Sequence, residues 1–141
     1  MKLGLLVSLI LAISGCATSN QGSEFEPKSS PLSIGEISNI HIKAAGQTSR
    51  AATNDGACAG FTMSQAEIDA FFSHTNQVAE HDYHHMLDWS PCYIEGDLTL
   101  DDGQKATWAI HQLKAGSIVL TNEETVYIYC PECKAENFLV D

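Results

Sequence analysis

Apolar and polar residues alternate through the C-terminal half of the chain. The alternation runs through four stretches, at about 93–100, 104–113, 117–121 and 124–130, which are separated by turn-forming residues such as Asp101-Asp102-Gly103. Because successive side chains of a strand point to opposite faces, a period of two indicates strands with one buried face. The pattern predicts an antiparallel meander whose core face includes Ile94, Trp108 and Ile128. A further alternating stretch, about 36–44, predicts an additional first strand.

A helix signal begins at Ser64. Ser64 is a favourable N-cap residue, and Glu67 stands three positions later, as in a capping box. Met63 and Ile68 occupy the positions of a hydrophobic staple, and apolar residues then recur at helical spacing. We predict a helix over about 64–80 that packs on the sheet. The expected fold class is α+β: one amphipathic helix on an antiparallel β-meander of about four to five strands, braced by disulfides.

The N-terminus has the features of an export signal. Lys2 is followed by an apolar run to Ile13, which is shorter than the roughly 20 residues of a membrane-spanning helix. The run ends in Ile13-Ser14-Gly15-Cys16, which resembles the lipobox of bacterial lipoproteins. The resemblance implies that Cys16 carries palmitate-type acyl chains after cleavage. We therefore divide the chain into a signal peptide (1–15), a lipidated cysteine with a flexible tether (16–35) and a single α+β domain (36–141).

The resemblance to lipoproteins also implies a location. Ala17, and not an aspartate, follows the lipidated cysteine, which by Gram-negative sorting implies the outer membrane, with the domain facing the periplasm. The lipid on Cys16 would then make the membrane one partner of the protein. The alternative is a plain signal peptide with a chance cysteine.

The charge of the chain is strongly negative, with a formal net charge of −11 at pH 7. Nucleic acid and anionic lipid headgroups are poor partners for such a surface, because no cluster of lysines and arginines would displace their counterions. A cationic protein, or a cation, is the expected partner.

Four cysteines remain after lipidation: Cys58, Cys92, Cys130 and Cys133. In an exported small domain, an even set predicts structural disulfides. Four cysteines allow three pairings. Because Cys92 and Cys130 are in phase with the core faces of the outer meander strands, we prefer Cys92–Cys130 with Cys58–Cys133. A CPxC redox motif at Cys130 and a four-cysteine zinc site are the alternatives.

Histidines cluster near the predicted end of the helix, at His74, His81, His84 and His85. If the helix continued, His74, His81 and His85 would share one side and could hold Zn²⁺ or Cu²⁺, with Asp82 or Asp88 as a further ligand or orienting group. If the helix ends near Glu80, residues 81–87 become an extended segment and the histidines alternate between sides. The second interpretation predicts no cofactor.

No assembled catalytic motif is present in the sequence, and we do not expect an enzyme. A GxSxG sequence is lacking, and the Asp101-Asp102 pair next to Gly103 indicates a turn. Tyr127 and Tyr129 lie opposite the core face of the last strand, beside the acidic residues Glu123 and Glu124. These four residues are the candidate binding surface, since tyrosines on a sheet offer contact area to a protein or glycan. The alternative is that the tether or the first strand covers the two tyrosines.

The span from Cys58 to Cys133 resembles small exported bacterial proteins of unassigned function, through DWSPC (88–92) and the terminal YCxxC (129–133). That resemblance implies a helix-plus-meander domain and no activity. The leading hypothesis is a non-enzymatic protein-binding module in the periplasm, of the inhibitor or immunity-protein type. A Zn²⁺- or Cu²⁺-binding envelope lipoprotein and a structural envelope component are the alternatives.

Overall fold

A seven-stranded antiparallel sheet organises the protein in the computed structural model, which describes residues 26–52 and 56–139. Its elements are β1 (Ser29–Ser30), β2 (Ile37–Thr48), α1 (Gln65–His74), β3 (Asn76–Val78), α2 (Glu80–His85), β4 (Cys92–Leu100), β5 (Lys105–His111), β6 (Ala115–Leu120) and β7 (Thr125–Tyr129). The strand order is β1-β3-β7-β6-β5-β4-β2. The predicted α+β class holds in its coarse form, but the strands are more numerous than predicted and the helices are minor.

The predicted meander is confirmed in β4 to β7, whose strands pair with their neighbours in sequence. Ile94 lies opposite Ile110, and Ile118 lies opposite Val126. One face of these strands forms the core, and its isoleucines at 94, 110, 118 and 128 are fully buried. The extra strands are β1 and β3, which are too short to give a sequence pattern and depend on the edge of β7 for pairing.

Helix α1 covers this packed face of the sheet. The capping box is confirmed: the Ser64 hydroxyl accepts from the Glu67 N–H at 3.3 Å, and the Glu67 carboxylate accepts from the Ser64 N–H at 2.8 Å. Burial of Phe71 and Phe72 docks the helix, and the Phe72 ring meets the Trp108 ring edge-on at 5.4 Å.

The predicted extent of the helix, to about residue 80, is wrong. Helix α1 ends at His74, where Thr75 turns into extended backbone, and residues 76–78 form β3 against β7. The strand edge of β7 offers backbone hydrogen bonds, and β3 buries Val78, so tertiary pairing overrides the helical periodicity. The alternative of an extended segment from residue 81 is wrong as well, because Glu80–His85 forms α2.

The N-terminal part of the described chain belongs to the sheet. Strand β1 lies within the segment predicted as tether, pairs with β3, and is preceded by Lys28, whose N–H donates to the Asp82 carboxylate at 2.9 Å. The signal peptide and Cys16 lie outside the described residues.

The two disulfides join Cys58 to Cys92 and Cys130 to Cys133. Disulfides are therefore present, but the preferred pairing of Cys92 with Cys130 and of Cys58 with Cys133 is wrong. The phase of the two strands is right, yet β4 and β7 are separated by β5 and β6. Three strand spacings of about 4.8 Å exceed the reach of a disulfide, whose Cα atoms lie within about 7 Å.

Candidate functional site

The face of the sheet opposite α1 is the candidate binding surface. It carries the alternate residues of β4, β5 and β6, and much of it is exposed, including Glu95, Thr107 and Val119. Lys43 of β2 and Asp97 of β4 form an exposed ion pair at 3.5 Å, of a kind that contributes at most about 1 kcal/mol. We call this surface the open face.

Helix α2 covers the β7 side of the open face. Tyr83 stacks on Tyr127 with ring centroids 4.6 Å apart, and the His84 ring meets the same tyrosine at 5.1 Å. Burial raises the pKa of Tyr83 to about 12. Burial also raises the pKa of Tyr127, and the Glu80 carboxylate adds to the effect. Tyr127, a predicted contact residue, is therefore partly covered by the chain's own helix.

The other predicted contact residues lie elsewhere on the same part of the sheet. Glu123 and Glu124 form the exposed turn between β6 and β7, where the Asn122 side chain accepts from the Glu124 N–H. Tyr129 is half-buried at the end of β7, opposite Asn76 of β3. Glu123 and Glu124 therefore lie in the turn between β6 and β7, whereas Tyr127 lies against α2.

His111 is a buried residue of the open face that the sequence pattern did not single out. His111 is the last residue of β5, and the Tyr83 ring lies beside its imidazole with ring centroids 6.4 Å apart. The Leu113 N–H donates to Nδ1 at 3.2 Å, which places the ring proton on Nε2. Burial lowers the pKa of His111 to about 4, so the ring is neutral at physiological pH.

A cleft lies at the His111 end of the open face, between α2, the loop before β4 and strands β4 to β6. Its volume is about 430 Å³. Its floor includes Ala109 and Ser117, two small residues directly opposite each other in the sheet. Trp89, with 55% of its surface exposed, stands on one wall and Tyr83 on another. The cleft combines Tyr83 of α2 with Trp89 of the loop before β4 and Arg50 of the segment after β2, which is why the strand pattern could not predict it.

The predicted metal ligands are only partly brought together. His81 and His85, one turn apart on α2, have ring centroids 4.6 Å apart, whereas His84 turns towards Tyr127. His74 ends α1 and bonds the Ala70 carbonyl through Nδ1 at 2.8 Å. Within residues 26–52 and 56–139, no three His, Cys, Asp or Glu side chains are grouped as a metal ion would require.

Asp82, predicted as a further ligand or orienting group, contacts both His81 and the chain before β1. Its carboxylate accepts from the Lys28 N–H, which is the main cause of its lowered pKa, and its other oxygen lies 3.3 Å from His81 Nδ1. Asp82 therefore ties α2 to the chain that precedes β1.

The cysteines are all in structural positions. Cys58 and Cys92 join the loop before α1 to the start of β4, and Cys130 and Cys133 close the turn after β7. All four are buried in the core beneath the packed face.

Comparison of the chain with protein-family models, with curated proteins and with solved structures returned no match. Among the helices of the described residues, none has the length and apolar character needed to cross a membrane.

Proposed function

We propose that the protein is a lipid-anchored protein of the cell envelope that binds a protein partner through its open face, without catalysing a reaction. The observation that carries this proposal is the contrast between the two faces of one sheet. Strands β4 to β6 bury nearly all of their packed face, where Leu120 is the partly buried residue, but they present Glu95, Thr107 and Val119 to solvent on the other face. An inhibitor or immunity protein is the functional class that we favour.

The open face has the composition of a contact surface. Val119 is an exposed aliphatic side chain in the middle of the face, and Trp89 is an exposed indole at its border. Tryptophan is enriched among the residues that dominate binding energy. The net charge of −11 would steer a cationic partner towards the protein and raise the association rate at low ionic strength.

Export and anchoring remain part of the proposal. The two disulfides are compatible with an oxidising compartment such as the periplasm. The lipobox resemblance at Cys16 supports attachment to the membrane, and Ala17 supports the outer membrane. Labelling cells with a clickable fatty acid would test the anchor, since Cys16→Ala is expected to abolish labelling of this protein.

Site-specific photo-crosslinking in cells tests the binding face. A photoreactive amino acid replacing Val119 is expected to give a discrete crosslinked product whose yield falls at high salt. The matched control places the same group at Asp102, in the exposed turn between β4 and β5. Equal products from both positions, or no product from position 119 at low salt, would contradict the proposal.

Metal binding is the second candidate, and one observation favours it. His81 and His85 present two imidazoles on one side of α2, an arrangement that can chelate Cu²⁺ or Zn²⁺ if neutral. Calorimetric titration of the metal-free protein with Cu²⁺ tests it. The double variant His81→Ala and His85→Ala should lose binding, whereas His41→Ala, an exposed histidine on β2, should not. Unchanged affinity in the double variant would contradict this candidate.

A further inference from the structure

The cleft at the His111 end of the open face has an unusual charge for this protein. The whole chain has 18 acidic residues against 7 basic ones, yet among residues 26–52 and 56–139 no Asp or Glu lines the cleft. The cleft instead holds Arg50, the only arginine of the sequence, which makes no ion pair with a carboxylate of the described residues. Arg50 is exposed, and a guanidinium that no carboxylate of the described residues neutralises favours an anion at this place.

Apart from Arg50, the polar side chains that line the cleft are neutral hydrogen-bonding groups. His111 is 6% exposed, and its Nδ1 is already used by the Leu113 N–H, which leaves the Nε2–H to donate. Ser117 adds a hydroxyl to the floor. A buried donor gains most from a charged acceptor, because the low local dielectric strengthens the bond.

The walls of the cleft are aromatic. Tyr83 is fixed by its stacking on Tyr127, and the exposed Trp89 and Tyr93 of β4 also line the cleft. Flat aromatic walls around about 430 Å³ match a ligand with one or two rings, a size at which preformed pockets enclose small molecules. Because the side chains of Ala109 and Ser117 are small, an aromatic ring of a ligand has space to lie against the sheet.

We propose that this cleft binds a small aromatic carboxylate, with the ring between Trp89 and Tyr83 and the carboxylate paired with Arg50. The inference goes beyond the proposed function, because it requires no protein partner and uses the end of the open face and not its centre. Trp89 is then a ligand contact, and a ring bound in the cleft would cover part of its exposed surface.

Isothermal titration calorimetry with two probes tests the inference, using the protein expressed from its full sequence and purified in detergent. The probes are 1-naphthaleneacetate and its neutral amide, 1-naphthaleneacetamide. The carboxylate is expected to bind at least about tenfold more tightly than the amide, a difference of about 1.4 kcal/mol. No detectable heat with the carboxylate up to about 10 mM, or equal affinity for the two probes, would overturn the inference.

Variants of Arg50 and Trp89 distinguish the contribution of the ligand's carboxylate to affinity from that of its aromatic ring. R50Q should lower the affinity for the carboxylate by about tenfold and leave binding of the amide unchanged. The matched control is K105Q, which removes one positive charge at the far end of β5 and should change neither affinity by more than about twofold. W89A should lower the affinity for both the carboxylate and the amide. Equal losses in R50Q and K105Q would overturn the role of Arg50, and thermal melts of each variant confirm that it is folded.

Discussion

The two faces of the sheet are built from alternate residues of the same strands, and they differ in almost every property. On the packed face, Ile94, Ile110 and Ile118 are fully buried under α1. On the open face, Glu95, Thr107 and Val119 meet solvent, while α2 covers Tyr127 of β7 and His111 of β5. Side chains of the packed face stabilise the fold through burial. Exposed side chains of the open face are not needed for packing, so this face is the candidate for binding a partner.

The packed face also contains both disulfides, and opening them is expected to give the largest effect. Replacing Cys58 and Cys92 by serine releases a connection across 34 residues and should lower the free energy of unfolding by about 4 kcal/mol. The matched pair, Cys130→Ser with Cys133→Ser, spans a separation of 3 and should cost only about 2 kcal/mol. Urea unfolding measures both. A larger loss from the short connection would contradict this ranking.

Adjacent residues of β6 compare the faces most directly. Ile118→Ala should cost about 3 kcal/mol, because the fully buried side chain leaves a cavity under α1. Val119→Ala, one residue along the same strand, should change the free energy of unfolding by less than about 0.5 kcal/mol. If the two variants lose similar free energies of unfolding in urea, the exposed position of Val119 on the open face would be contradicted.

His111 is a buried titratable residue on the open face. Its folded pKa of about 4 lies below its ordinary value of 6.5, so the unfolded chain binds more protons between these values. The contribution of His111 to stability is therefore full above about pH 6.5 and falls as the pH drops towards 4, by up to about 3 kcal/mol. Urea unfolding at pH 7 and pH 4.5 measures the loss.

A variant isolates His111 from the other groups that titrate in this range. H111N retains an acceptor for the Leu113 N–H but cannot take up a proton, so its loss of stability between pH 7 and pH 4.5 should be smaller than that of the natural protein. H41N, on exposed strand β2, should behave like the natural protein. Parallel pH profiles for H111N and the natural protein would show that His111 is not buried in its neutral form.

The smallest effect concerns the start of α1. Ser64→Ala removes the hydroxyl that accepts from the Glu67 N–H and should cost about 1 kcal/mol in urea unfolding. Ser73→Ala, near the end of the same helix, removes only a hydroxyl bonded to the Asp69 carbonyl and should cost less than about 0.5 kcal/mol. Equal costs would show that packing of Phe71 and Phe72, and not the cap, fixes the helix start.

Sequence reasoning predicted the elements whose cause is local. The meander followed from the alternation of residues such as Ile94 and Ile110, and the start of α1 followed from Ser64 and Glu67. It missed β3, because residues 76–78 are a strand only where β7 offers them partners. It assigned Cys92 and Cys130 to one disulfide because phase along a strand says nothing about distance across the sheet.

The candidate site was predicted less well than the fold, for a related reason. Tyr127 was correctly assigned to the face opposite the core, but its contacts with Tyr83 and His84 arise only when α2 folds back over β7. His111, Trp89 and Arg50 belong to separate parts of the sequence and form one cleft only in the folded chain.

The sequence by itself determined which residues of β4 to β7 face the core, where α1 begins, and the acidic character of the surface. These properties depend on neighbours a few positions away and on composition. Only the tertiary structure decided where α1 ends, which cysteines meet, and that a neutral histidine, an arginine and an exposed tryptophan line one cleft. Those outcomes depend on which strands lie side by side, and lateral distances in a sheet follow from chain topology, which residue periodicity does not encode.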